Sequence, residues 1–416
     1  MQMKELTDVQ FDTFVKVNQI DTIYQSSAYA KAMQKNGYEI LLLGLFDDNN
    51  TIIGVSIILI ENINGFKYAY APRGPILDFS NDKTVSAFTY YLKKYLKEKN
   101  VVAIKINPMI IKRKYNIEQD IIYHNENFDK TMSYLKKLGY YHFGYNNYFE
   151  ALKPRFEAIL PLQKNYYTVF KNIKKNFRTK IRNADKCGVI IHKGTKENIE
   201  NLYFQAKRKY PRDQKFLTDI YDEFKETHNA EVYYAKLDAK KYLTYIQNEY
   251  EKQEGICEEL DKLVLSNTNQ SFKMVTKKIT ADNKLSEYKN KLKEATTILR
   301  DYPEGVIIAS TLIIIKDKTV TLFMDGYDKK FQIFNAKHLL IWKIIEKYAK
   351  LGYEKFNLGG VANIFDSSDK YKGLNHFRLS FNPEITEYLG DMELVCNQGL
   401  YFMYRNSKSL KNIIKK

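Results

Sequence analysis

The sequence predicts a mixed α/β (α+β) protein that contains two similar units, with an antiparallel coiled-coil hairpin inserted into the second unit. Two observations lead to this prediction. The order β-hairpin, helix, strand occurs twice along the chain, and a segment with heptad spacing interrupts the second copy. A chain of 416 residues, of which 44% are hydrophobic, is also expected to form two domains or more.

The first unit is predicted to begin with a β-hairpin. Two apolar runs, Ile40–Phe46 and Thr51–Ile60, flank a polar turn of aspartates and asparagines. A third strand is expected at Phe66–Ala71. Apolar residues recur at helical spacing over Thr84–Glu98, and Val101–Ile106 then has the composition of a buried strand.

The second unit repeats this order. Gly305–Ile315 and Thr319–Asp325 form the predicted hairpin. A helix is expected over Asn335–Lys350, followed by a strand at Lys355–Leu358. Repetition of the whole pattern indicates a duplicated domain.

The insertion covers about residues 241–302 and is predicted to form two helices around the polar stretch Ser266–Ser271. Its heptad positions step alternately by three and four: Leu243, Ile246, Tyr250, Gln253, Cys257, Leu260 and Val264, then Ala281, Leu285, Tyr288, Leu292, Ala295, Leu299 and Tyr302. Each arm of roughly 25 residues would be about 37 Å long and would project from the body. The alternative is two helices packed on the domain surface.

We expect the insertion to lie within a second domain over residues 153–379. The first domain is then residues 1–152, and the C-terminal segment 380–416 is expected to return to it.

The formal net charge of +17 favours an anionic partner, such as nucleic acid, a phosphate compound or an acidic membrane face. The alternative is a compositional bias of the genome toward lysine, asparagine, isoleucine and tyrosine. Three scattered cysteines fit a reducing compartment. The charged N-terminus does not resemble a signal peptide, and the apolar runs are too short to span a membrane. We therefore expect a cytoplasmic protein that at most rests on a membrane surface.

The string from Tyr70 to Asp78, YAPRGPILD, is the most distinctive local motif. Two prolines and a glycine break the sheet and stiffen a loop directly after a strand. Arg73 is then presented from a rigid turn. It could bind a phosphate or carboxylate group, or it could pair with Asp78 and hold the turn.

A basic helix is predicted from Tyr166 to Cys187. Four of its cations recur every three or four residues and share one face: Lys171, Lys174, Arg178 and Arg182. Like charges on one face repel unless an anion lies there, and RNA phosphates or a diphosphate would fit. The alternative is an ordinary solvated face.

Two further arginines stand in distinctive contexts. Arg212 lies near the start of another predicted helix. The alternative is an ordinary helix start without a binding role, at which Asp213 interacts favourably with the helix dipole. Arg378 follows the Gly359-Gly360 pair, which we interpret as a turn at the end of a strand. The sequence contains no P-loop, nucleophile elbow or metal-ligand cluster. A reaction between an activated ester and an amine, which needs positioning and oxyanion stabilisation, fits this set of residues.

The string from Tyr70 to Asp78 resembles the signature of the FemABX peptidyltransferases, nonribosomal enzymes that build the interpeptide bridges of bacterial peptidoglycan. Other strings that resemble the family occur in the family's order along nearly the whole chain. They are Gln25-Ser26 with Tyr29, Ile104–Pro108, Arg178–Gly188, Arg212-Asp213 with Phe216, Asn335–Trp342, Phe356–Val361, Gly373–Arg378 and Glu387–Gly390.

The resemblance implies two GNAT-like acyltransferase domains in tandem, with a helical arm in members that accept a lipid-linked precursor. It implies aminoacyl-tRNA as co-substrate and no other cofactor. Lipid II is the favoured acceptor, with UDP-MurNAc-pentapeptide as the soluble alternative. Contact with the inner face of the membrane and a monomeric or weakly dimeric state are also expected.

The resemblance also suggests roles for individual residues. Arg212 matches the arginine that binds the precursor diphosphate, and Arg378 stands where the family often has lysine near the reacting centre. Asn107 replaces an aspartate that often precedes the proline, and we assign it with Arg378 to catalysis. The remaining assignments are substrate binding by Arg73, Lys31, Lys35, Phe216 and Tyr70, and tRNA binding by Lys171, Lys174, Arg178 and Arg182.

In the expected reaction the precursor amine attacks the aminoacyl ester of the tRNA. Its ammonium, with a pKa of about 10.4, must first lose a proton, and a phosphate or carboxylate of the substrate is the expected acceptor. Glycine, alanine and serine all remain open as the transferred residue. One alternative is an acetyl-CoA-dependent N-acyltransferase, although Lys330–Phe334 lacks the expected glycine-rich loop. Another is a non-catalytic protein that binds tRNA or a cell-wall precursor.

Overall fold

The computed structural model describes residues 1–145, 153–163, 165–207, 213–266, 271–362 and 369–414. The strands are β1 (Gln2–Glu5), β2 (Glu39–Phe46), β3 (Ile52–Ile63), β4 (Phe66–Ala71), β5 (Ile76–Leu77), β6 (Val101–Ile106), β7 (Ile111–Tyr115), β8 (Ile121–His124), β9 (Tyr140–His142), β10 (Phe156–Pro161), β11 (Val189–Lys193), β12 (Ala230–Leu237), β13 (Val306–Lys316), β14 (Thr319–Tyr327), β15 (Lys355–Val361), β16 (Glu384–Tyr388) and β17 (Met392–Val395). The helices are α1 (Asp8–Val17), α2 (Ser27–Lys35), α3 (Asp82–Glu98), α4 (Phe128–Lys137), α5 (Tyr166–Asn172), α6 (Lys175–Lys186), α7 (Asn198–Ala206), α8 (Gln214–Glu226), α9 (Ala239–Ser266), α10 (Phe272–Asp301), α11 (Ala336–Lys350), α12 (Asp369–Leu379) and α13 (Gln398–Ile414), with a 3₁₀ helix at Lys329–Phe334.

Two sheets carry the fold, and each contains the predicted repeat. The first sheet has the order β1-β2-β3-β4-β6-β17-β9, with β5 beside β3. The second has the order β11-β12-β13-β14-β15-β10-β16-β7-β8. In the first, β4 and β6 are parallel and joined through α3. In the second, β14 and β15 are parallel and joined through α11. A parallel pair needs such a crossover helix, so the hairpin–helix–strand pattern in the sequence is confirmed in both units.

The two sheets exchange strands at two places along the chain. Strands β7 and β8 pair in the second sheet, although they lie within the range expected for the first domain. In the C-terminal segment β16 belongs to the second sheet, whereas β17 pairs with β6 of the first. A shared hydrophobic core binds the units further, since Phe11 and Val55 of the first unit pack in one cluster with Ile220, Val232 and Leu312 of the second.

The coiled-coil hairpin is confirmed by α9 and α10, which lie between the adjacent antiparallel strands β12 and β13. Its antiparallel register follows from the hydrogen bond of Tyr288 to Glu249 near the body and from the ion pair of Lys278 with Asp261 farther out. Near the body, side chains of both helices join the large core of the second unit. Farther out, Cys257, Leu260, Ala281 and Leu285 form a separate small core within the arm. Among the described helices, none combines the length and the apolar character needed to cross a membrane.

Candidate functional site

A cavity of about 1500 Å³ lies where the two units meet. Its wall includes residues 21–24 before α2, Arg73 after β4, and residues from β10, β14, β15, β16, α6, α11 and α12. Among the described residues that line it, seven are basic and four are acidic. The basic ones are Arg73, Lys114, Lys180, Lys329, Lys337, Lys355 and Arg378, and the acidic ones are Asp21, Glu157, Glu354 and Glu384. The lining therefore favours an anionic ligand.

Arg73 is fixed in the cavity wall by partners from the second unit. Its guanidinium forms a buried ion pair with Glu157, donates a hydrogen bond to the Pro154 carbonyl at 2.8 Å, and lies 4.4 Å above the Tyr388 ring. The interpretation in which Arg73 pairs with Asp78 is therefore wrong, because the partner carboxylate comes from β10 and Asp78 accepts from Ser80 instead. Since its charge is already matched by Glu157, Arg73 joins the two units at the cavity.

Asn107 supports the loop that presents Arg73. Its side-chain oxygen accepts the Arg73 backbone N–H at 2.7 Å, and its amide group donates to the Tyr70 hydroxyl and to Asp391, each at 3.1 Å. Asn107 is only 1% exposed, and burial raises the pKa of both Tyr70 and Asp391. An aspartate at position 107 would face Asp391 as a like charge, so the asparagine fits this environment. Asn107 and Tyr70 lie behind the cavity lining.

Arg378, on α12, lies in the cavity wall against the end of β15. It is buried, and its guanidinium donates to the Gly360 carbonyl. Gly359 has φ near +89°, and a Cβ there would lie 3.1 Å from the guanidinium, so glycine permits this close approach. The two glycines belong to β15 itself, which continues to Val361, beyond the predicted end at Leu358. Within the described residues the Arg378 Nε has no hydrogen-bond partner.

A group of aromatic, histidine and lysine side chains surrounds the start of α11. The His338 ring packs against Phe177 and Phe377, at centroid distances of 4.6 and 5.3 Å. Burial, reinforced by the charges of Lys180 and Lys337, lowers the pKa of His338 to about 3, so its imidazole is neutral at physiological pH. Lys337 forms a buried ion pair with Asp325. The N-terminal end of α11, whose dipole attracts anions, faces the same cavity.

The predicted basic helix is two helices. Ile173 and Lys174 have extended backbone angles between α5 and α6, and the Lys174 N–H donates to the Ser380 carbonyl at 3.1 Å instead of continuing the helix. The prediction that the four cations share one continuous helix face is therefore wrong. Lys171, Lys174 and Arg182 are exposed and Arg178 is half-buried, while Lys180 of the same segment reaches the cavity.

The other predicted substrate-binding residues lie on α2 and α8, which pack together. Lys35 forms an ion pair with Glu223 of α8, and Lys31 pairs with Asp8 of α1 at 2.9 Å. These pairings raise the pKa of both lysines. Phe216 is 6% exposed and packs in the shared core, where its ring lies 6.2 Å from that of Phe323. Arg212 lies outside the described residues.

Of the predicted residues that the structure describes, Arg73 and Arg378 come together in the cavity lining, and the rest lie elsewhere. Sequence reasoning assigned no role to Lys180, Lys337 or His338. Lys337 and His338 belong to the Asn335–Trp342 string that carried part of the resemblance, and that string was the available signal for them. No local sequence feature indicated that α11 begins at a cavity wall.

Two related α/β units meet at a cavity whose lining carries a surplus of cations. The model of the FemAB family matches residues 6–409, so the chain belongs to that family. Like the relatives found in sequence comparison, it is an aminoacyltransferase.

Several relatives match over almost the entire chain. A lipid II:glycine glycyltransferase of Staphylococcus saprophyticus is 23% identical over 98% of this chain and 96% of its own length. The aminoacyltransferase FemA of Staphylococcus epidermidis is also 23% identical, over 99% of this chain and 100% of its own. The crystal structure of FemX superposes with a TM-score of 0.72 at 20% identity, covering 97% of this chain and 99% of the other. The fold, with its two acyltransferase-like units, is thereby confirmed.

Proposed function

We propose that this aminoacyltransferase moves an amino acid from a charged tRNA to the side-chain amine of the third residue of a peptidoglycan stem peptide, with lipid II as acceptor. The observation that carries the proposal is the cavity between the units, lined by a surplus of cations that includes Arg73 and Arg378. Membership of the FemAB family and a relative named as a lipid II:glycine glycyltransferase support the acceptor. Glycine is the first choice of amino acid, ahead of alanine and serine.

The chemistry needs an uncharged amine. The acceptor nitrogen attacks the aminoacyl carbonyl carbon, an amide bond forms, and the ester bond to the terminal ribose of the tRNA breaks. The ribose hydroxyl takes up a proton as the amine loses one. A cavity with a cation surplus disfavours an ammonium ion and so lowers the pKa of the entering amine.

Three of the four carboxylates that line the cavity form ion pairs with neighbouring cations. Glu157 is paired with Arg73, Asp21 with Lys355 and Glu384 with Lys114. These three carboxylates are therefore already engaged by cations of the protein itself. We assign the proton to a phosphate or carboxylate of the substrates, and the stabilisation of the developing oxyanion to Arg378.

The two large substrates must reach the cavity over different surfaces of the protein. The exposed cations are Lys171 on α5, Lys174 between the two helices, and Arg182 on α6. They belong to the segment that also supplies Lys180 to the cavity, so we assign them to tRNA phosphates. Lys35 and Arg212 are assigned to the precursor diphosphate. The proposal includes a cytoplasmic location with peripheral contact to the inner membrane face, a monomer or weak dimer, and no cofactor beyond charged tRNA.

Mass spectrometry of an acceptor assay tests the proposal. Purified protein is mixed with charged tRNAs and with either lipid II or UDP-MurNAc-pentapeptide. A mass gain of one amino acid on lipid II is expected, and its size identifies the residue. A gain on the nucleotide acceptor alone would overturn the choice of acceptor. If neither gains mass, lipid II that already carries one bridge residue is supplied, and failure there as well would overturn the proposal.

A further inference from the structure

The outer end of the coiled-coil arm carries exposed apolar side chains beside lysines. Leu265 and Phe272 are 86% and 88% exposed, and Leu263 and Val275 are 50% and 37% exposed. We call the described residues 262–266 and 271–278 the arm tip. Side chains this large and this exposed, gathered at one end of an element, indicate a surface that becomes covered by something else.

The charge at the arm tip has one sign. Residues 262–278 contain four lysines, Lys262, Lys273, Lys277 and Lys278, and no aspartate or glutamate. Lys278 is paired with Asp261 and Asp282, just outside this range, whereas the other three lysines are exposed. Exposed apolar side chains next to lysines form the combination that enters the headgroup region of an anionic bilayer.

We propose that the arm tip is a docking site for the surface of an anionic lipid bilayer. This inference rests on the proposed function, because a lipid-linked acceptor presents its reacting amine at that surface. The distal arm has its own small core of Cys257, Leu260 and Ala281, so the tip is held out from the body rather than folded against it. Thirty residues of α10 give a length of about 45 Å.

Two other occupants fit the arm tip less well. RNA phosphates would engage the lysines, but three of the four exposed apolar side chains, Leu263, Leu265 and Val275, are aliphatic and gain nothing from phosphates or from base stacking. A second copy of the arm tip would bring lysines against lysines without a carboxylate between them. A bilayer satisfies both the apolar side chains and the charge.

Vesicle sedimentation with the full chain tests this assignment. The wild type is expected to bind vesicles of phosphatidylcholine with phosphatidylglycerol far more tightly than vesicles of phosphatidylcholine alone, and salt should weaken the binding. Leu265→Ser with Phe272→Ser should lower affinity at least tenfold. Replacing Lys262, Lys273 and Lys277 with Gln should lower it on the order of 100-fold. The matched control, Phe402→Ser with Met403→Ser, removes two side chains of α13 that are 69% and 57% exposed and should bind like the wild type.

Fluorescence gives a second readout. Trp342 is the single tryptophan of the chain and is 5% exposed, so its emission should not respond to vesicles. A Phe272→Trp variant should show a blue shift on addition of anionic vesicles, because the new indole enters the headgroup region. An unshifted spectrum together with vesicle binding by the Ser variants equal to the wild type would overturn the proposal.

Three other results would also overturn the proposal. They are absence of vesicle binding by the wild type, loss of tRNA binding in the tip variants with vesicle binding retained, and a wild-type dimer that the tip substitutions dissociate. The second and third would assign the tip to RNA or to a second copy.

Transfer measured in detergent micelles separates this inference from the proposed function. An inactive wild type that still binds vesicles through the tip leaves the inference standing, while the proposed function fails.

Discussion

Arg73, in the loop after β4 of the first sheet, and Glu157, on β10 of the second sheet, form a buried ion pair at the wall of the central cavity. Both side chains are almost fully buried, with exposures of 3% and 9%. The pair therefore holds together the two units between which the substrates are proposed to meet.

Removing one partner of this pair should destabilise the protein strongly. We expect Arg73→Ala to lower the free energy of unfolding by about 3–5 kcal/mol, because Glu157 is left buried without its counter-ion. Denaturant unfolding followed by circular dichroism measures the change. The exposed pair Lys196–Asp222 is the control, and Lys196→Ala should cost less than about 1 kcal/mol. Equal effects of the two substitutions would contradict the assignment of Arg73 as the link between the units.

Asn107 is expected to tolerate aspartate poorly. Asn107→Asp loses the hydrogen bond donated to Asp391 and places a second carboxylate beside it. At pH 7 the free energy of unfolding should fall by about 1–3 kcal/mol. The loss should shrink toward pH 5, because a carboxyl with a raised pKa then takes up a proton that relieves the repulsion. The exposed substitution Asn283→Asp on the arm serves as control, and a pH-independent loss at position 107 would argue against the like-charge explanation.

Lys316 should make stability rise with pH in the alkaline range. Burial lowers its pKa from 10.5 to about 8, while its ammonium donates to the carbonyls of Thr22 and Gln25 at 3.0 and 3.1 Å. Between pH 8 and 10.5 the unfolded chain holds a proton that the folded chain has released, so stability increases across this window, by on the order of 3 kcal/mol in total.

Denaturant unfolding of the wild type and of Lys316→Met between pH 8 and 10 measures this contribution. Tyrosines of the unfolded chain titrate near the upper limit, at about pH 10, so the quantity of interest is the difference between the two slopes. A smaller rise with pH in the variant is expected. Parallel curves would show that the Lys316 ammonium is not destabilised by its burial.

The exposed cations of the segment that contains α5 and α6 should govern tRNA affinity. Replacing Lys171, Lys174 and Arg182 with Ala should weaken charged-tRNA binding about 10- to 100-fold near 0.1 M salt. It should also reduce the slope of log affinity against log salt by about 3, since each cation releases about one counterion. Filter binding across a salt series measures both. The matched control replaces the exposed lysines of α4, Lys130, Lys136 and Lys137. An equal effect in the control would mean that the net charge, rather than this surface, binds tRNA.

Features that depend on neighbouring residues could be predicted from the sequence, whereas features that depend on contacts between distant residues could not. The two hairpin–helix–strand repeats and the arm were predictable, because the periodic spacing of apolar residues that marks strands and helices is visible within short stretches of sequence. The break between α5 and α6 was not, because it depends on a hydrogen bond from Lys174 to Ser380, far away in the chain. Arg73 was singled out correctly as a fixed guanidinium. Its true partner, Glu157, was hidden because it lies on a strand of the other unit.

Local sequence context also separates the cavity residues that were predictable from those that were not. Arg378 and Arg73 were found because unusual glycine and proline contexts mark them. Lys180, Lys337 and His338 were passed over because an ordinary helix carries them, and their meeting depends on how α6 and α11 pack. Phe216 was assigned to substrate, yet it packs in the shared core. A single aromatic side chain at a helix start gives no local sign of which surface it will face.

We propose that the cavity at Arg378 carries out transfer from a charged tRNA to a lipid-linked stem peptide. The most direct test is single-turnover transfer of labelled glycine from glycyl-tRNA to lipid II, with the wild type, Arg378→Lys and Arg378→Met, each checked for folding by circular dichroism. We expect glycine on lipid II with the wild type, a rate within about tenfold for Arg378→Lys, and a loss of about 100-fold or more for Arg378→Met, because the methionine keeps the volume but not the charge. Equal rates for all three proteins, or no transfer by the wild type from glycyl-, alanyl- or seryl-tRNA, would contradict it.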